Sequence, residues 1–335
     1  MAKGYTKVVE KKDGNTSITY NIDDFMLYRY RAVNDYTIES LLKDSIIGAS
    51  PSTFNDPYDC TSFYMDKKTI KQIVQNVYNS KIKTIGEENI LFFDFLRKFV
   101  AEIGNFLSIS CFSESIVSPI MWGHYAQNAT GFAVQYSAID LINVGQKYIS
   151  THKEKMRNEF ATILDVQDLL DEICAISENN LKDYGLLPVQ YRNNCYNLYE
   201  FADVEQEICR LKELESIKRH KGNLTFEDEF NAWNKYHNKD FSVFNRMLFT
   251  TKRKEWKYEQ EWRLCLPLSL SEMNNGVRYK SVGTLKPLAV YLGDQISDEN
   301  GTKILEIAQE KQIPIYQMYI DITKKYNQLS CYKLS

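Results

Sequence analysis

The chain has 335 residues, 44% of them hydrophobic and 25% charged, and a formal net charge of −3. That length holds one large domain or two ordinary ones, and the near-balanced charge gives no support to a general polyanion binder. The polar N-terminus lacks the apolar core of a signal peptide, and no apolar run approaches membrane-spanning length. Seven scattered cysteines without a CxxC pair fit free thiols in a reducing cytoplasm, so a cytoplasmic location is expected.

Taken in chain order, residues 1 to 24 read as a poorly ordered polar tail, and residues 25 to 335 as a single α+β domain. A strand is predicted near 26–32. It leads into a helix that carries cap residues at Asn34, Asp35 and Thr37, apolar positions at Ile38, Leu41 and Leu42, and Gly48 as its stop. Helical periodicity runs through 66–104, and strands are predicted near 106–112 and 131–136. From about 140 to 250 the pattern turns mostly helical, with a short strand at 186–192, and reads as a large helical insertion on the same body. A strand at 259–266 follows, and the end of the chain reads as strand, helix and strand, a βαβ-like unit or a helix on a sheet edge. Together these predict a mixed, curved and partly split sheet around one cleft, with the inserted helices to one side. The 23 tyrosines and 17 phenylalanines would give it a core of large rings.

Four clusters carry chemistry. In YEQEWRLCLP (258–267), strand alternation puts Glu259, Glu261 and Arg263 on one face, and Trp262, Leu264 and Leu266 on the core face. Paired acids repel, which is tolerable on a solvated face and useful in a site. In LYRYR (27–31), Arg29 and Arg31 share one face, with Tyr28 and Tyr30 on the other, and arginine suits phosphate. FNDPYD (54–59) reads foremost as a rigid turn built by Asn55, Asp56, Pro57 and Asp59. In SISCFSES and MWGHYA, Ser108 and Ser110 share a strand face, ahead of Ser113, Glu114, Trp122, His124 and Tyr125. No serine-hydrolase triad order and no glycine-rich phosphate loop is present, and TKRKEWK (251–257) is a local basic cluster.

These motifs, in this order, resemble the bacterial domain-of-unknown-function family 2971, over about residues 26 to 333. The order of arginine, Ser-x-Ser and Glu-x-Glu is also similar to the ADP-ribosyltransferase pattern. That second resemblance implies a fold of the same kind and a glycosyltransferase reaction that cleaves the nicotinamide–ribose bond of NAD and passes ADP-ribose to an acceptor. It implies Glu261 as the catalytic carboxylate and Glu259 as the group that serves the acceptor. Arg31 or Arg29 would hold the pyrophosphate, and Ser108 and Ser110 the nicotinamide or ribose. Tyr30, Trp122 or Tyr125 would stack on the leaving ring. NAD is then the substrate and no metal is required. An intracellular toxin or antiviral (phage-defence) effector is the context implied. Two other readings stand beside it: a metal-dependent nuclease or phosphohydrolase in which Asp56, Asp59, Glu114 and Glu261 gather Mg²⁺, and a non-catalytic binding protein.

Overall fold

A computed structural model describes residues 5–12, 15–22, 24–56, 58–60, 63–64, 66, 68, 71–72, 76, 107–161, 185–197, 204–224, 228, 232, 235, 249–269, 271–272, 275–324, 326 and 328–334. The helical reading of 66–104 lies almost wholly outside them. The expected N-terminal tail is instead an antiparallel hairpin, β1 (Tyr5–Lys12) with β2 (Asn15–Ile22). Both segments are rich in β-branched residues and flank an Asp-Gly dipeptide, a hairpin signal that their polarity hides.

The body starts at β3 (Met26–Arg31) and α1 (Asp35–Leu42). Asn34 caps α1: its side chain accepts from the Thr37 amide at 2.9 Å, and the Asn34 amide donates to Thr37 Oγ1 at 3.1 Å. Gly48 is not the stop of this helix; it lies within β4 (Ser45–Ala49), where a Cβ would come within 2.1 Å of Ser108 Oγ. Next come β5 (Phe63–Tyr64), β6 (Leu107–Ser113), α2 (Pro119–Tyr125), β7 (Phe132–Ser137) and α3 (Ala138–Ala161). The middle of the chain adds β8 (Leu186–Pro188), β9 (Gln190–Arg192), β10 (Tyr196–Asn197), α4 (Val204–Lys221) and β11 (Thr251–Arg253). A 3-10 helix (Lys254–Glu259) precedes β12 (Glu261–Pro267). The chain ends in β13 (Tyr279–Thr284), β14 (Ala289–Leu292), α5 (Asp298–Glu310), β15 (Ile315–Asp321) and β16 (Gln328–Lys333).

Among the described residues the main sheet runs β13-β4-β6-β3-β7-β14-β15-β16, with β12 also paired to β6 and β8 beyond it. It is antiparallel except where β14 and β15 run parallel around α5, the expected βαβ unit. β3 and β6 meet only at Tyr28 opposite Ser113, so the sheet splits there. The α+β class and a mixed, largely antiparallel sheet are therefore what the chain adopts.

Register fixes two faces. On one, Leu27, Phe112, Trp262, Leu264 and Leu266 pack with Ile38 of α1, Leu141 and Tyr148 of α3 and Ile304 of α5. Full burial of each such apolar side chain stabilises by roughly 1.5–3 kcal/mol. On the other, Tyr30, Ala133, Tyr291 and Met318 pack beneath Met121 and Trp122 of α2. Within the 140–250 stretch, two of the described elements join the body. α3 covers the main core and β8 extends the main sheet.

Candidate active site

The strand carrying Glu259 and Glu261 begins two residues later than alternation implies. Residues 254–259 are 3-10, and Gln260 closes them with φ 44°. The left-handed residue breaks the pleat but preserves the side of projection: both carboxylates reach Lys252 Nζ, Glu259 at 2.6 Å and Glu261 at 3.0 Å. The Glu259 carbonyl is held by Ser113 Oγ at 2.6 Å, and the Gln260 carbonyl by the Glu114 amide at 3.1 Å, so the turn stays anchored to the end of β6.

This is no solvated face. Glu259 is 2% exposed, Glu261 6%, Lys252 4% and Arg263 0%. Arg263 donates Nε to Glu261 Oε1 at 2.8 Å and Nη2 to Oε2 at 3.1 Å. Its other side grips Asp59, Nη1 to Oδ1 at 3.0 Å and Nη2 to Oδ2 at 2.6 Å, and Nη1 also meets the Phe249 carbonyl at 2.6 Å. Lys252 Nζ lies 3.3 Å from Asp59 Oδ2. The basic cluster therefore buries its first lysine, and the FNDPYD turn supplies a partner for the sheet as well as its own Asx bond, Tyr58 N to Asp56 Oδ1 at 2.9 Å.

Asp59, Glu261, Lys252 and Arg263 cancel; an ionised Glu259 would leave the group at −1 in a dry site. Burial, with Glu261 beside it, accordingly pushes the Glu259 carboxyl up to about 7 despite Lys252. Glu261 goes the other way: burial opposes its charge, but Arg263 and Lys252 hold it well below the usual carboxylate range. Burial also works against the Lys252 ammonium, and Glu261, Asp59 and Glu259 more than offset it, so Lys252 stays charged.

A polar and aromatic rim adjoins Glu259. The half-buried Tyr125 donates its hydroxyl to Glu259 Oε1, and Asn55 in turn bonds to Tyr125. Tyr258 pairs with the exposed His124 (OH to Nδ1, 3.0 Å), and the Trp256 ring centroid lies 5.1 Å from Lys252 Nζ. Tyr191 accepts the Glu261 amide at 2.8 Å.

The structure divides the expected site residues into two groups. β3, β6 and β12 are neighbours, as a shared site requires, but register settles which side chains face together. Glu261 lies opposite Ser113, and Ser113 opposite Tyr28; Ser110 lies opposite Leu264 and Ser108 opposite Leu266. Arg29, Arg31, Ser108 and Ser110 thus leave the core-facing side of the sheet, and Glu259 and Glu261 the other. Joining them in one constellation is corrected on that ground, because a pleat sends adjacent parities to opposite faces. Tyr30 and Trp122 are on the glutamate side but packed edge to face at 5.1 Å, 7% and 2% exposed, with Tyr30 OH bonded to the Ser115 carbonyl and Trp122 Nε1 to the Ile116 carbonyl. Neither offers a free face for stacking; Tyr125 is the one of the three that touches a glutamate. The Mg²⁺ quartet does not assemble. Glu114 accepts from Trp262 Nε1 at 2.7 Å, while Asp59 and Glu261 are taken by Arg263, and no group of three or more metal-ligating side chains occurs among the described residues.

Lys252, Tyr191 and Tyr258 are the members that sequence reading missed, and Asp59 was read only as a turn residue or a Mg²⁺ ligand, not as the partner of Arg263. A lysine flanked by Thr251 and Arg253 gives no sign of burial, and no spacing rule connects Asp59 to Arg263 across 204 positions. Residues 121–264 match the family described as Protein of unknown function (DUF2971). The resemblance read from motif order holds over that stretch, which contains Tyr125, Lys252, Glu259, Glu261 and Arg263. No curated protein and no solved structure matches the chain. Among the described residues no helix is long and apolar enough to cross a membrane.

Proposed function

On a chain whose central stretch belongs to a family that names no reaction, we propose an ADP-ribosyltransferase-like enzyme that cleaves the nicotinamide–ribose bond of NAD, with Glu259 as the reacting carboxylate. The observation that carries this reading is a pair of buried carboxylates that share Lys252 but sit in different surroundings: Arg263 clasps Glu261 and holds its carboxyl low, while burial beside Glu261 pushes the carboxyl of Glu259, next to Tyr125, up. Such a split separates an acid–base group from a fixed anion.

The roles differ from those implied by the family pattern. Both oxygens of Glu261 are engaged by cations, so it acts as a positioning residue that fixes Lys252 and raises the affinity of Glu259 for its proton. Glu259 stands nearest the rim, and a ribose or acceptor hydroxyl takes the hydrogen bond that Tyr125 now makes. Departure of nicotinamide breaks its bond to ribose C1′ and carries away the bonding pair. The sugar cation that develops is stabilised by the site once Glu259 is ionised and the cluster stands at −1. The acceptor oxygen then bonds to C1′ and its proton passes to Glu259. With water as acceptor the products are nicotinamide and ADP-ribose.

The test is nicotinamide release from NAD by the wild type and Glu259→Gln, with folding checked by thermal melt. A folded variant slower by about 100- to 1000-fold is expected, the usual loss for one well-placed electrostatic group. Equal rates would remove Glu259 from the reaction, and a wild type that neither binds nor cleaves NAD would remove the reaction itself.

A further inference from the structure

Arg29 and Arg31 set both their guanidinium groups into the fold with no acidic partner among the described residues. Where β4 and β3 diverge, the Ile47 carbonyl receives Arg29 Nη2 at 2.5 Å and Ser110 Oγ at 2.9 Å. Arg29 also lies over the Phe112 ring, 5.5 Å from its centroid. That leaves Arg29 Nη1 buried with no hydrogen-bond partner among the described residues. Arg31, two positions along the same face, makes no side-chain hydrogen bond or ion pair among them, while Tyr36 of α1 lies within electrostatic range of both arginines. Burial, with Arg29 beside it, pushes the Arg31 guanidinium down to about 9. A buried, unpaired donor and two like charges are each costly, and one dianion relieves both. Tyr36 and Tyr279 are 47% and 58% exposed, with ring centroids 6.4 Å apart, so an aromatic surface stands open beside the arginines.

We propose that Arg29 Nη1 and Arg31, at the split between β3 and β4, form a binding site for the phosphate of a mononucleotide, whose base lies against Tyr36 and Tyr279. Arginine forks match phosphate oxygens, and base–tyrosine stacking tolerates any base. The site uses the opposite sheet face from Glu259, so its ligand is bound and not consumed. The site stands whether or not the protein cleaves NAD.

Titration calorimetry with inorganic phosphate, adenosine and AMP tests it. The wild type is expected to bind phosphate saturably and AMP about tenfold more tightly, with adenosine alone weakest. Arg31→Gln is expected to weaken both phosphate and AMP by about 10- to 100-fold, the loss of one charge-assisted contact. Without ligand, Arg31→Gln should melt at the same temperature as the wild type or higher, since it removes an unpaired cation; a purely structural arginine would give a lower one. Tyr36→Ala should abolish the advantage of AMP over phosphate, and Glu259→Gln should bind AMP as the wild type does. No saturable phosphate binding, or undiminished binding by Arg31→Gln, would overturn the site. AMP binding no tighter than phosphate would overturn the nucleotide assignment, and loss of AMP binding in Glu259→Gln would overturn its separation from the carboxylates.

Discussion

Arg263→Met is expected to lower the stability of the folded protein by about 3–5 kcal/mol, more than any surface substitution in this chain. Arg263 is wholly buried and ties together the carboxylate of Glu261 on its own strand, the Phe249 carbonyl and the carboxylate of Asp59, 204 positions away. Methionine fills much of the same volume, so packing changes little. What is lost is charge: Asp59 and Glu261 remain buried with only Lys252 between them. A buried ion pair contributes little net stability over an apolar replacement of both partners, but removing one partner strands the other. Asp59→Asn in the Arg263→Met background should therefore recover part of the loss. Chemical denaturation of the two single variants and the double variant checks it, and additive losses would mean the residues do not act as a unit.

The second large effect is a pH dependence of stability that belongs to Glu259. Its carboxyl lies near 7 in the folded protein against an ordinary value of 4.5. The folded state thus holds this proton more tightly than the unfolded chain does. The corresponding stability is complete below about pH 4.5 and is lost as pH rises through about 7, roughly 3 kcal/mol across the window. Glu261 has the opposite sign: its stability is present above its ordinary value and is lost as pH falls below that. Between pH 5 and pH 8 the two do not overlap, so the wild type should lose melting temperature as pH rises while Glu259→Gln, which carries no titrating group, falls less. Parallel melting curves for the two proteins over that range would place the carboxyl at an ordinary pKa.

How much of this was legible from sequence depended on whether the information was local. Alternation and capping placed β3, β6, β7 and α1, because pleat, apolar spacing and the Asn34–Thr37 box are properties of short windows. The acid pair drew attention for a sound reason, since two glutamates side by side need an explanation. Burial of their partner did not show, because Lys252 is drawn in by Asp59, Glu259 and Glu261 together, and only the folded chain assembles them. The face shared by Ser108, Ser110 and the arginines was correctly paired within each strand. Which of two parities meets Glu261 was not determined by any strand alone; the pairing of Glu261 with Ser113 decides it. Gln260 hid in the same way, as a single left-handed residue shortens the strand and leaves the alternation of letters intact.

If a buried carboxyl titrating near neutrality does the chemistry, the pH profile of nicotinamide release from NAD, measured at subsaturating NAD between pH 5 and pH 9, carries its titration. Glu259 must be ionised to stabilise the sugar cation and to take the acceptor proton, so the wild-type rate should rise with pH and reach half its maximum near pH 7, the value to which burial and Glu261 push this carboxyl. Glu259→Gln should lack that limb at every pH. A wild-type rate already at its plateau at pH 5, or the same rising limb in Glu259→Gln, would rule out Glu259 as the reacting carboxylate.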